Sequence, residues 1–313
     1  MTELIEPRRI HSRSFRGDDD FWRVRDLLIE TYPITPTGFN WEVRRWDGWR
    51  YYRKDPAWDP RWEKLVRLWE TEDDRLVGAV HPEGRGDAHL QLHPDYRDIE
   101  EEMIAWAEDN LVVGTESGQR RHLHISVFEY DSPRKRLLEQ RGYEKLTKGE
   151  VMRRMRLGNR VPPHPIIKEG YRMRNVHPED DGDCQRIADV LNASFGRSFH
   201  NPAEFRVFAD HAPCFRKELD LVAEASDGSF GAYVGAPYIE ANRYGVFEPV
   251  CTHPDHRRKG LARTLMFEAL HRLRSLGATD VYVGTGDQVA ANRLYDSIGF
   301  DEAHKAHIWK KMN

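Results

Sequence analysis

The residues of this 313-residue chain with the plainest chemical potential are Arg257-Arg258-Lys259-Gly260-Leu261-Ala262. Three cations precede a glycine, and Arg263 adds a fourth positive charge. The pattern predicts a strand over 246–252 before this run and a helix over 261–276 after it. Such an arrangement collects unpaired backbone N–H groups and the positive end of a helix at one point, which suits a diphosphate. Gly260 lets the backbone come close to an anion, and Ala262 is small for the same reason. Other sets of reactive side chains are weaker. His253 and His256 have no further ligand at sensible spacing, so no metal site is expected. Gly284-Thr285-Gly286 is too short for a dinucleotide fingerprint. Cys184, Cys214 and Cys251 are odd in number, far apart and form no CxxC pair, which fits a reducing cytoplasm.

The elements that would position the loop are legible around it. Tyr171–Val176 reads as a strand, and Asp183–Phe195 has helical spacing through Ile187, Val190 and Leu191. Asn201-Pro202-Ala203-Glu204 has the form of a helix start. Runs at 219–223 and 230–238 flank Asp227-Gly228, a hairpin signal. A strand is expected over 245–252 and a helix over 261–276, ended by Gly277. A strand over 281–285, a helix over 289–297 and a last strand over 307–311 complete a mixed α/β pattern.

The same pattern occurs twice. His93-Pro94-Asp95-Tyr96-Arg97 matches His253-Pro254-Asp255-His256-Arg257, 160 residues on. Leu137-Leu138 with Arg141-Gly142-Tyr143 matches Leu294-Tyr295 with Ile298-Gly299-Phe300. Arg13-Ser14-Phe15 then Asp18-Asp19 matches Arg174-Asn175-Val176 then Glu179-Asp180. Three blocks in one order indicate a tandem duplication, joined by a proline-rich linker over Gly158–Pro165. The expected domains are 1–160 and 161–313.

With the strand before and the helix after, the sequence R-x-x-G-x-A at Arg257–Ala262 resembles the cofactor loop of the GNAT acyltransferase superfamily. The second motif of that family is matched by Leu294-Tyr295-Asp296-Ser297-Ile298-Gly299-Phe300. The resemblance is clear over about 217–311 and weaker over 10–157. The chain therefore looks like a tandem GNAT protein, an arrangement similar to that of mycothiol synthase. The resemblance implies two domains of α/β (α+β) class, each a central mixed, mostly antiparallel sheet flanked by helices. It further implies an N-acetyltransferase that uses acetyl-CoA, by direct transfer in a ternary complex. The loop Arg257–Ala262 with Arg263 would hold the pyrophosphate, and Val250-Cys251-Thr252 would line the pantetheine arm. Tyr295 sits where the family places the acid that protonates the leaving thiolate. Glu248 sits where many members place the base for the amine. Asn292, one turn before Tyr295, would contact the cofactor arm. The family more often places that Asn seven residues before the Tyr, where this chain has Gln288.

The first half keeps the shape and loses these residues. The alignment puts Glu100 at Gly260, Glu102 at Ala262, Ala88 at Glu248 and Leu138 at Tyr295. It is expected to be non-catalytic. Eight of nine tryptophans lie in Trp22–Trp106, with Trp41, Trp46, Trp49, Trp58 and Trp62 beside Tyr51 and Tyr52. They fit either internal packing or a wall facing the substrate. Asp18–Asp20 reads as a helix start.

Composition narrows the function further. A net charge of −4 argues for neither a nucleic-acid nor a membrane surface. No run approaches the roughly 20 apolar residues of a membrane span. Met1–Arg16 lacks the apolar core of a signal peptide. The expected acceptor is a small-molecule amine, and the expected state a monomeric pseudo-dimer or a homodimer. A non-catalytic acyl-CoA sensor and a protein or peptide N-acetyltransferase remain as alternatives.

Overall fold

The computed structural model describes residues 9–52, 61–114, 121–158 and 160–312. Trp58, Asn159 and the first eight residues of the Met1–Arg16 segment lie outside them. In chain order the elements begin with β1 (Ile10–Ser14), α1 (Asp18–Thr31), α2 (Val43–Tyr51), β2 (Arg67–Thr71), β3 (Leu76–His81) and β4 (Asp87–Leu92). There follow α3 (Glu100–Asn110), β5 (Val113–Gly114), β6 (Arg121–Phe128), α4 (Ser132–Gln140) and β7 (Glu144–Arg156). The second half supplies β8 (Tyr171–Asn175), α5 (Asp181–Phe195), α6 (Pro202–His211), β9 (Asp220–Ala225), β10 (Phe230–Gly235) and β11 (Tyr238–Ile239). It continues with β12 (Tyr244–Val246), β13 (Val250–Thr252), α7 (Leu261–Ser275), β14 (Asp280–Thr285), α8 (Val289–Ile298) and β15 (Glu302–Met312).

These elements form two compact units. The first comprises Met1–Glu42, Ala57–Gly149 and Ala306–Asn313; the second comprises Val43–Pro56 and Glu150–Lys305. Neither is a continuous half of the chain, because strand pairing ignores the linker. The end of β7 pairs antiparallel with β14, Met155 opposite Val281, inside the second unit. The end of β15 pairs antiparallel with β6, Trp309 opposite Ile125, inside the first. Each unit therefore takes its closing strand from the other half of the sequence. Helix α2, from the first half, also belongs to the second unit.

In the first unit β1, β2, β3 and β4 form an antiparallel run. Strand β4 joins β6 in parallel through Asp87 and Ala88 alone. The core under this sheet includes Trp69, Leu92, Met103, Ile104 and Leu138. In the second unit β8, β9, β10 and β13 form one antiparallel sheet. A second sheet runs β11–β12–β14–β7, with β12 parallel to β14. Helix α7 presents Leu261, Leu265, Leu270 and Leu273 to a core shared with Phe247, Val281 and Phe300.

The expected strand over 245–252 is broken in two. Phe247 N still donates to Tyr282 O (2.8 Å), but Glu248 N donates to Gly235 O (2.9 Å). The chain leaves one sheet for the other across Phe247-Glu248-Pro249, and the Glu248–Pro249 peptide is cis. Pro249 has no N–H for a ladder, so an unbroken strand cannot pass through it on both sides.

A second correspondence between the units is a buried ion network. Arg13 on β1 clasps Asp20 through Nη1 and Nη2, both at 2.6 Å, and reaches Glu70 through Nε at 2.7 Å. Arg174 on β8 clasps Asp183 at 2.6 and 2.8 Å and reaches Glu224 through Nε at 2.6 Å. In both units an arginine three residues on, Arg23 or Arg186, joins the acid. Asp20 thus corresponds to Asp183, two positions away from the acidic match expected between Asp18-Asp19 and Glu179-Asp180. Asp20 also does more than start a helix. Four of the tryptophans, Trp46, Trp49, Trp62 and Trp69, are buried packing residues, whereas Trp22 is exposed. Trp46 and Trp49 stack with ring centroids 4.9 Å apart.

Candidate functional site

The site is built where β13 and β14 part. Val250, Cys251 and Thr252 pair with β10, whereas Val283, Gly284 and Thr285 pair with β7. Strand β13 leads through Pro254–His256 into the basic loop and then directly into α7. Gly260 has φ +76° and Arg258 φ +63°, so the loop turns twice through the left-handed region. A glycine takes that conformation at little cost. Nothing lies within 4 Å of where a Cβ on Gly260 would stand. The N–H groups of Arg258 through Arg263 have no acceptor among the described residues. A run of free amides at the start of a 15-residue helix fits an anion such as a diphosphate.

The side chains of the loop divide the work. Arg257 turns back, donating to Ser194 O (3.2 Å) and Thr252 O (3.4 Å). Lys259 Nζ donates to the Tyr171 hydroxyl at 2.7 Å, and that hydroxyl also meets His256 Nδ1 at 2.7 Å. Arg263 lies over the Phe267 ring. Arg258 is exposed and has no partner among the described residues. Leu261 and Ala262 are buried, so their backbone amides, and not their side chains, are available to a ligand. Cys251 is turned into the core with Val190 and Phe230, and burial pushes its thiol up to about 12. Only its backbone is left for a ligand arm, while Val250 and Thr252 remain partly exposed.

Tyr295 is buried on α8, 6.0 Å between ring centroids from Phe300. Burial pushes its phenol up to about 12, opposed by Arg153 and reinforced by Glu248. It therefore keeps its proton at neutral pH and can donate it. Asn292 is committed within the fold: its amide donates to Gly286 O (2.9 Å) and Gln288 O (3.0 Å), and its oxygen accepts from Arg153 Nε (3.1 Å). It ties the start of α8 to β7 and to the loop after β14. Glu248 stands in the break between the sheets with its Oε1 2.8 Å from Arg44 Nη1.

Sequence reasoning missed the groups behind Glu248. Asp220 accepts from the Tyr233 hydroxyl at 2.8 Å, and its Oδ1 lies 3.0 Å from where a Gly235 Cβ would stand, beside Glu248 O. Burial pushes its carboxyl up to about 7, opposed by Tyr233 and Arg44. The Tyr52 hydroxyl is buried with no hydrogen-bond partner among the described residues. Arg44 had no signal, because it stands some 200 positions from Glu248 in sequence, and Tyr52 was visible only as one of a cluster of aromatic residues. Asp220, at the head of an apolar strand, could have been noticed.

The matching loop of the first unit is filled by its own ions. Glu100, at the start of α3, accepts from Arg97 Nη2 at 2.7 Å and is paired with buried Arg134. Arg97 also reaches Asp131 at 2.8 Å. Ala88 and Leu138 are buried in the core. Among the described residues, no group of three His, Cys, Asp or Glu could hold a metal, and no helix is long and apolar enough to cross a membrane.

Residues 184–300 match the model of the Acetyltransferase (GNAT) family. Over 98 % of its length the chain superposes on 96 % of a GCN5-related N-acetyltransferase from Sphaerobacter thermophilus, at 17 % identity and a TM-score of 0.66. It superposes equally on 98 % of a tandem GNAT protein from the clavulanic acid biosynthesis pathway, at 14 % identity and a TM-score of 0.66 over 98 % of this chain. A third similar structure is N-myristoyltransferase of Saccharomyces cerevisiae with bound myristoyl-CoA, at 10 % identity and a TM-score of 0.57 over 96 % of this chain and 80 % of that one. At these identities the likeness is one of fold. A search of curated protein sequences returns no match.

Proposed function

We propose that the second unit, whose residues 184–300 match the Acetyltransferase (GNAT) family model, transfers the acetyl group of acetyl-CoA to a primary amine of a small molecule. Transfer is direct, with both substrates bound at once. The observation that carries this reading is the free run of amides from Arg258 to Arg263 beside parted strands. Those amides, with Arg258, Lys259 and Arg263, would hold the diphosphate, and the backbone of β13 the arm that follows it. The thioester supplies the activated acetyl group.

Two proton positions remain for the chain to fill. Glu248 accepts a proton from the acceptor's ammonium, which makes the amine a nucleophile. Tyr295 Oη donates a proton to the departing sulfur, and its pKa of about 12 keeps that proton in place until it is needed. Asn292 we assign to positioning α8. The first unit, with Glu100 bound by Arg97 and Arg134, binds no cofactor in this reading. The first half of the sequence contributes α2 and the end of β7, both of which belong to the second unit. Cys184, Cys214 and Cys251 are buried and form no disulfide; a cytoplasmic setting, where thiols stay reduced, is part of the proposal.

Acetyl-CoA turnover over a panel of primary amines, read by release of free thiol, tests the proposal. Coenzyme A binding without turnover on any amine would favour a sensor instead.

A further inference from the structure

We infer that Arg44, on a helix from the first half of the sequence, is a positioning residue for Glu248. The inference rests on Glu248 acting as the base for the acceptor. The two side chains differ in freedom. That of Arg44 is 9 % exposed and that of Glu248 is 46 % exposed, with Nη1 and Oε1 2.8 Å apart. The guanidinium is the fixed member of the pair. Its charge lies over the Phe208 ring of α6, 5.6 Å from the centroid. Its Nη1 lies 3.0 Å from the place a Cβ on Gly48 would take, so the missing side chain at 48 makes its room. Helix α2 is itself anchored to the strand that precedes Glu248, because Val43 N donates to the Tyr244 hydroxyl at 3.0 Å.

Without such a partner Glu248 would have the freedom of an exposed side chain in a sheet break. A charged hydrogen bond from a buried donor restricts it to one orientation. The charged groups facing Arg44 include Glu248 and, more deeply, Asp220, whose carboxyl feels the guanidinium. Arg44 thus links the exposed carboxylate to the buried polar group at the foot of β9. The second unit's site is completed by residues that precede it by some 200 positions, which gives the first half of the sequence a role in the chemistry.

The test uses the full chain. Arg44→Met keeps an unbranched apolar stem and removes the charge; Arg44→Lys keeps the charge and loses the fork. Thiol release from acetyl-CoA is followed with a polyamine, an aminoglycoside and an arylalkylamine. Arg44→Met is expected to lower kcat about 10- to 100-fold, the range for a hydrogen bond to a charged group. Coenzyme A affinity by calorimetry should stay within about twofold, and Arg44→Lys should recover part of the rate. In a Glu248→Gln background Arg44→Met should add little, because its partner is already gone. Equal losses in both backgrounds would overturn the inference. Where no amine turns over, or Glu248→Gln keeps the parent rate, the transferase reading fails on its own. The position of the Glu248 carboxylate in a crystal of Arg44→Met, or of Arg44→Lys where the first does not fold, then decides. A carboxylate in its original place would refute Arg44 as its positioner.

Discussion

Arg97 Nη2 donates to Glu100 Oε2 at 2.7 Å at the start of α3, while the matching start of α7 offers Arg257 no acid, since that position is Gly260. One helix start is neutralised by its own chain and the other is open to an external anion. The intact protein should therefore bind one coenzyme A. Gly260→Glu should abolish that binding, since a carboxylate ~4 Å from a phosphate charge costs on the order of 4 kcal/mol at an effective dielectric near 20, about a thousandfold. Space around Gly260 is open, but at φ +76° any side chain is strained, so Gly260→Ala, which carries the strain without the charge, is the control and should keep most of the affinity. Calorimetry giving two sites, or parent affinity in Gly260→Glu, would contradict this.

Glu100 has a structural duty of its own. Arg134 is buried, and Glu100 and Asp131 are its acids. Glu100→Gln should destabilise the protein by about 3–5 kcal/mol, the range for breaking a buried pair by removal of one partner. Urea unfolding measures it. A midpoint unchanged from the parent would show that Asp131 alone suffices.

Tyr295→Phe removes one hydroxyl and keeps the buried ring. The expected result is a kcat lower by ~10²- to 10⁴-fold, the usual worth of general acid catalysis. Affinity for coenzyme A should change little. With chemistry limiting the rate, a kcat within about a factor of two of the parent would remove Tyr295 from the mechanism.

Residues 166–313 expressed alone should be insoluble or unfolded. They lack Val151–Arg156, which pairs with β14, and α2, which belongs to the same unit. They also carry Ala306–Met312, whose partner β6 is absent. A soluble fragment with a cooperative thermal transition would speak against this dependence.

Asp220 predicts a pH dependence of stability. Burial pushes its carboxyl up to about 7, against about 3.9 in an unfolded chain. Between these values the native state holds a proton that the unfolded chain has released. The group's contribution to stability is complete below the unfolded value and is lost as pH rises through 7. Relative to the parent, Asp220→Asn should gain stability between pH 5 and 8, on the order of 2 kcal/mol. Denaturant midpoints at the two pH values provide the measurement, and a gap that stays constant would count against it.

The sequence by itself determined most of the elements and the place of the basic loop, because both are local, while the strand expected over 245–252 is broken at Pro249. Asn201 before Pro202 starts α6, accepting from Glu204 N at 3.3 Å, and Gly277 follows the end of α7 at φ +88°. The basic loop, Gly260 and the helix after it are contiguous, so their local geometry, a left-handed glycine leading directly into α7, could be read from adjacent residues. The tandem pattern was also legible, since His93–Arg97 and Gly142 recur as His253–Arg257 and Gly299 in the same order. Only the tertiary structure decided which segments share a unit. Strand exchange depends on the pairing of backbones, and a backbone carries no sequence label: β7 is as good a partner for β14 as a strand after α8 would be. The same holds for Arg44 and Asp220. Their closeness to Glu248 is a product of packing over distances that no spacing along the chain records.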